Sequence, residues 1–133
     1  MANVILQRSI LLNQVFSSES EHPVKLLDVM SRLTTDCYYR SYEMGVVTDP
    51  HAAFSVRHLV NRDGLRVVSW LTNVLDAEKL SLSCSDKARR EKSVARILEL
   101  AGRISETGAA SMAMMSGADP GDALRAEEMR CFQ

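Results

Sequence analysis

All three prolines of this chain stand where a helix would begin: Pro23 closes SSESEHP, Pro50 lies in TDPH and Pro120 in DPG. Proline fixes φ and lacks the backbone N–H, so a helix tolerates it only in its first turn. At Pro50 the signal is doubled, because Asp49 can accept from the free amides of that turn. These positions cut the chain into segments, and the apolar residues inside each segment recur at helical spacing.

From Pro23 to Met44, Leu26, Leu27, Val29, Met30, Leu33, Cys37 and Met44 fall on one arc, and Gly45 is expected to end that helix. The next helix runs from Pro50 to the NRDG turn at 61–64, with Ala52, Val56, Leu59 and Val60 inward. A strongly apolar helix of Val67, Val68, Trp70, Leu71, Val74 and Leu75 follows. SLSCSD at 81–86 caps the longest helix, whose inner stripe reads Val94, Ile97, Leu98, Ala101 and Ile104. Its outer face pairs opposite charges, Glu99 with Arg103 among them. Gly108 interrupts it, and AASMAMMSG at 109–117 resumes as a turn or two of helix.

Residues 3–16 are the least decided segment. Val4, Ile5, Leu11, Leu12, Val15 and Phe16 share one helical side, while the alternation of Val4, Leu6, Ile10 and Leu12 keeps a strand open. Taken together, the segments predict an all-α fold, a compact antiparallel bundle of about five helices joined by short turns. The chain of 133 residues has the length of a single domain over 1–133, with 118–133 a loosely attached C-terminal helix.

Chemistry-bearing patterns are sparse. Sixteen basic and seventeen acidic side chains nearly cancel, so net charge gives no general attraction to nucleic acid or to an anionic membrane. Cys37, Cys84 and Cys131 lack CxxC or Cys/His spacing. His51 and His58 are too far apart along a helix to share one metal ion. Neither G-x-S-x-G nor G-x-x-x-x-G-K-[ST] occurs. No metal, no cofactor and no enzymatic activity are therefore expected. With no leader-like segment and no run of about 20 apolar residues, the expected compartment is the cytoplasm.

One stretch is unusual. TDCYYRSYE at 35–43 holds every tyrosine of a chain poor in aromatic residues. On a helix, Tyr38, Tyr39 and Tyr42 would lie on the flank away from the Leu26–Leu33–Cys37 stripe. They either bury a second face of a central helix or form an exposed aromatic patch. Tyrosine suits the second role, because it covers a large rigid area and keeps a hydroxyl for hydrogen bonding. Methionines of SMAMM (111–115) suit an adaptable binding surface.

The function expected is therefore a small non-catalytic interaction module, an adaptor, inhibitor or accessory regulator that also self-associates. Its partner-binding residues would be Tyr38, Tyr39, Arg40, Tyr42, Met112 and Met115. The alternative is a DNA-binding regulator with a helix-turn-helix-like hairpin at 51–76. Arg66, Ser69, Thr72 and Asn73 would then contact DNA.

Overall fold

The computed structural model describes residues 8–36, 38–115 and 121–132. Residues 1–7 of the undecided first segment, Cys37 of the expected apolar arc, and residues 116–120 lie outside the described residues.

The all-α expectation is overturned by a parallel β-sheet. Its strands are β1 (Ser9–Leu11), β2 (Ser41–Gly45), β3 (Arg66–Trp70) and β4 (Ser111–Ala113), side by side in chain order. Helices α1 (Leu12–Val15), α2 (Ser17–Ser20) and α3 (Pro23–Thr35) connect the first two strands, and α4 (Pro50–Asp63) connects the next two. Helices α5 (Thr72–Ala77) and α6 (Lys87–Glu106) lead to β4, and α7 (Asp122–Phe132) follows it.

Pro23, Pro50 and the caps at Asp49, Gly64 and Asp86 act as expected, while Pro120 lies outside the described residues. Pro23 and Pro50 open α3 and α4 in their first turns. The Asp49 carboxylate accepts from the Ala52 amide at 2.7 Å, and Gly64 closes α4 in the left-handed conformation at φ +62°. Asp86 caps α6 by accepting from the Ala88 and Arg89 amides.

The correction falls on the segments between caps. The helix from Pro23 stops at Thr35, and Tyr42 to Gly45 form a strand instead of its last turn. Residues 66–70, expected to start a helix, form β3, and 111–113 form β4. Each strand is only three to five residues long, too short for its alternation to stand out, so its letters fit a turn of helix as well as a strand. What tips them is the β-branched and aromatic content of Tyr42, Val67, Val68 and Trp70, which packs well on a pleated surface.

Right-handed crossovers between neighbouring parallel strands set each connecting helix on the same face of the sheet. Accordingly α4 lies against both α3 and α6. Tyr42, Met44 and Val67 project to that face and join Leu26, Val29 and Met30 of α3 and Ala53, Val56 and Val60 of α4 in the main core. A second cluster joins Leu71, Leu75 and Leu80 to Ile97, Leu100 and Ile104 of α6. In α6 the inner stripe is rotated from the one expected: Val94 and Leu98 are exposed, while Ser93 and Leu100 are buried. Ser93 is acceptable there because its hydroxyl accepts from the Ser81 amide and donates to the Arg89 carbonyl. Among the described residues, no helix is long and apolar enough to cross a membrane.

Candidate binding site

In an open α/β sheet the strand ends at the carboxyl side carry the loops, and ligands bind there. This sheet has a cleft of about 220 Å³ at that end. The short helices α1 and α2 after β1 contribute Asn13, Ser17 and Ser20; the loop after β2 contributes Val46 to Asp49; and the end of β3 with the start of α5 contributes Trp70 and Asn73. Leu26 and Met44 close its apolar floor.

Asn13 is held in place by the backbone. Its side-chain oxygen accepts from the Gly45 amide at 3.0 Å. A Cβ on Gly45 would stand 2.8 Å from the Asn13 amide nitrogen, so glycine is what lets this side chain lie against β2. That nitrogen has no hydrogen-bond partner among the described residues, and Asn13 lines the cleft. Trp70 is fixed from below. Its indole N–H donates to one oxygen of Glu43 at 2.9 Å, and the Ser9 hydroxyl donates to the other at 2.9 Å. Two donors on one carboxyl group orient it and tie β1, β2 and β3 together on the face away from the helices.

Among the described residues, the lining carries two carboxylates, Glu21 and Asp49, and no lysine, arginine or histidine. Asp49 is already engaged as the cap of α4. The cleft thus offers amide and hydroxyl hydrogen bonds beside an indole face, and no positive charge for an anion. Among the described residues, no group of three or more His, Cys, Asp and Glu side chains could hold a metal ion.

The residues singled out in the sequence are dispersed. Tyr42 is fully buried in β2, its hydroxyl 3.0 Å from that of Thr34, so it belongs to the core and not to an exposed patch. Tyr38 is exposed and Tyr39 half-buried, their rings edge to face with centroids 4.9 Å apart. The Arg8 guanidinium lies 4.3 Å over the Tyr38 ring, a cation–π contact. Arg40 is exposed and donates to the Asp63 carbonyl at 3.1 Å. These three residues lie at the amino end of β2, opposite the cleft. Met112 and Met115 are exposed on and just past β4, at the far edge of the sheet, and the structure does not bring them to the tyrosines.

The hairpin expected at 51–76 is not two helices but α4, β3 and α5. Ser69 is fully buried on the helix side of β3, with its hydroxyl unpaired among the described residues. Arg66 is exposed on the other face, and Thr72 and Asn73 begin α5. No recognition helix therefore carries these four side chains together. Asn73 lines the cleft instead.

Sequence reasoning passed over Asn13, read Gly45 as the end of a helix and placed Glu43 at the rim of a tyrosine patch, not in this cluster. They come together only when β1, β2 and β3 pair, and no local motif marks them. The available signal was repetition: three apolar strand-like runs, each followed within a few residues by Asn or Asp (Asn13, Asp49, Asn73). No protein-family model matches the chain, and no curated protein does.

Proposed function

We propose that this chain binds a small, uncharged, hydroxyl-rich molecule in the cleft at the carboxyl ends of β1, β2 and β3. The observation that carries the proposal is the convergence on one cleft of Asn13 from the end of β1, Val46 to Asp49 from the end of β2, and Trp70 and Asn73 from the end of β3, with no basic residue among its described lining. The free amide nitrogen of Asn13 and the Asn73 side chain supply donors and acceptors, and the hydroxyls of Ser17 and Ser20 add to them. Trp70 supplies a flat apolar wall, and its bond to Glu43 fixes the angle of that wall. The volume admits a ligand of a few heavy atoms, at the small end for ligand pockets. Phosphate and carboxylate compounds are disfavoured by Glu21 and by the missing cation.

Trp70 is the chain's single tryptophan, so its fluorescence reports directly on the cleft. Titration with small polyols and neutral sugars should give a saturable change in emission. Asn13→Ala and Asn73→Ala should each weaken it about tenfold, the loss of one hydrogen bond of about 1.4 kcal/mol. Phosphorylated counterparts should bind more weakly than the neutral compounds. A flat titration across the panel, or equal affinities in the wild type and both variants, would remove the proposal.

A further inference from the structure

Parallel sheets occur almost only with both faces covered, because their strands are apolar on both sides. Here the helices cover one face. On the other, Leu11, Val68, Trp70 and Ala113 belong to neither core cluster. The sheet also ends in two strand edges, β1 and β4, with no further strand paired to either among the described residues.

The order of the strands limits what can complete such a sheet. A doubly wound sheet reverses its strand order and places helices on both faces. This one runs β1-β2-β3-β4 without reversal, with its connecting helices on one face, which is the arrangement of successive units in an eight-stranded β/α barrel. Four strands are half of that barrel. Rotating one copy about a twofold axis sets β4 of each copy beside β1 of the other, with all strands parallel and all helices outside. That interface closes on itself and leaves no edge.

We propose that a second copy of this chain covers the open face, the two sheets closing into one eight-stranded barrel through β1–β4 pairing. The side chains at the middle and carboxyl end of that face suit an enclosed interior, while Arg66 lies at its amino end, where the barrel mouth is open to water. In one row Trp70 lies between Gly45 and Ala113, a large residue flanked by small ones, as a filled barrel requires. Glu43, the charged residue at the centre of the face, enters with both oxygens hydrogen-bonded. Exposed apolar side chains gather at the closing edge: Met112 on β4, with Met114 and Met115 just beyond it, are each 38–53% exposed. Closure would cover two sheet edges and the face itself, and a stable dimer needs on the order of 800 Å² per copy.

Light scattering of the purified chain across the micromolar range tests this, with two variants beside it. Val68→Lys puts a cation on the open face beside Glu43, where an open sheet tolerates it and a closed barrel does not. Phe54→Asp changes an exposed residue on α4, on the helix side of the sheet. The expected result is twice the chain mass for the wild type and Phe54→Asp, and the single-chain mass for Val68→Lys with an unchanged circular dichroism spectrum. Single-chain mass for the wild type at every concentration, which would leave the face to a different partner, overturns the proposal. So does a dimer that survives Val68→Lys or is lost in Phe54→Asp. Should Val68→Lys fail to fold, hydrogen exchange of the wild type decides: slow amides along β1 and β4 support closure, and exchange at open-edge rates refutes it.

Discussion

The indole N–H of Trp70 reaches from the end of β3 to the carboxylate of Glu43 in the middle of β2, 2.9 Å away. Trp70 pairs in register with Gly45, so no side chain stands at the neighbouring position of β2. The same carboxylate holds Ser9 of β1. One side chain thereby orients the wall of the cleft and stitches three strands, which links ligand binding to the integrity of the sheet.

That link predicts coupled losses. Trp70→Phe leaves a half-buried carboxylate short of one donor and should cost about 1.5–3 kcal/mol, the range for hydrogen bonds to charged groups. Glu43→Gln should cost a similar amount, and the double variant less than the sum. Urea unfolding followed by circular dichroism gives the cycle. Additive losses would mean that the two side chains act independently.

Tyr42 and Tyr38 should behave as opposites. Tyr42 is sealed in the main core, so Tyr42→Ala should destabilise by about 3 kcal/mol or more. Tyr42→Phe removes only the hydroxyl beside Thr34, whose own hydroxyl still donates to the Met30 carbonyl, and should cost about 1 kcal/mol. Tyr38→Ala loses an exposed ring and the Arg8 contact, about 1 kcal/mol or less. Chemical denaturation of the three variants separates core from surface.

These tyrosines show where the sequence was legible and where it was not. Caps are local: Asp49, Pro50, Gly64 and Asp86 act through neighbours a few residues away, so their chemistry reads directly from the letters. Strands are settled by partners far along the chain. Met44 fits the arc of the preceding helix, with Tyr42 on its flank, until Ser69 and Val67 lie beside them in the sheet, and a strand of three to five residues shows no period that outweighs the arc. The cleft is legible only after the strands are, because Asn13, Asp49 and Asn73 meet through the order of the sheet and not through spacing.

Acid should loosen the outer side of α6. Arg96 donates to Glu78 at 2.8 Å and to Glu99 at 2.7 Å, and these hydrogen bonds hold both carboxyls below the ordinary glutamate value. A carboxyl depressed on folding contributes stability above its unfolded pKa and loses it as the pH falls through the folded one. The contribution is therefore intact at neutral pH and disappears below the ordinary glutamate range. NMR titration of the carboxyl carbons should show both midpoints displaced downward, and Arg96→Gln should return them toward the ordinary value. Midpoints unchanged by that substitution would show that the bridges do not persist in solution.

Gly45→Ala offers a sharper probe of the cleft than removing a lining residue. The new methyl group would stand 2.8 Å from the Asn13 amide nitrogen, so the side chain must swing away and release the Gly45 amide. The variant should lose about 1 kcal/mol from that hydrogen bond plus the cost of the displacement. Asn13→Ala loses the bond without the crowding. In the double variant the methyl group meets nothing and suits a strand better than glycine, so its stability should match Asn13→Ala or exceed it. Thermal melts of the three proteins test the order. A double variant less stable than both singles would place the strain of Gly45→Ala somewhere other than Asn13.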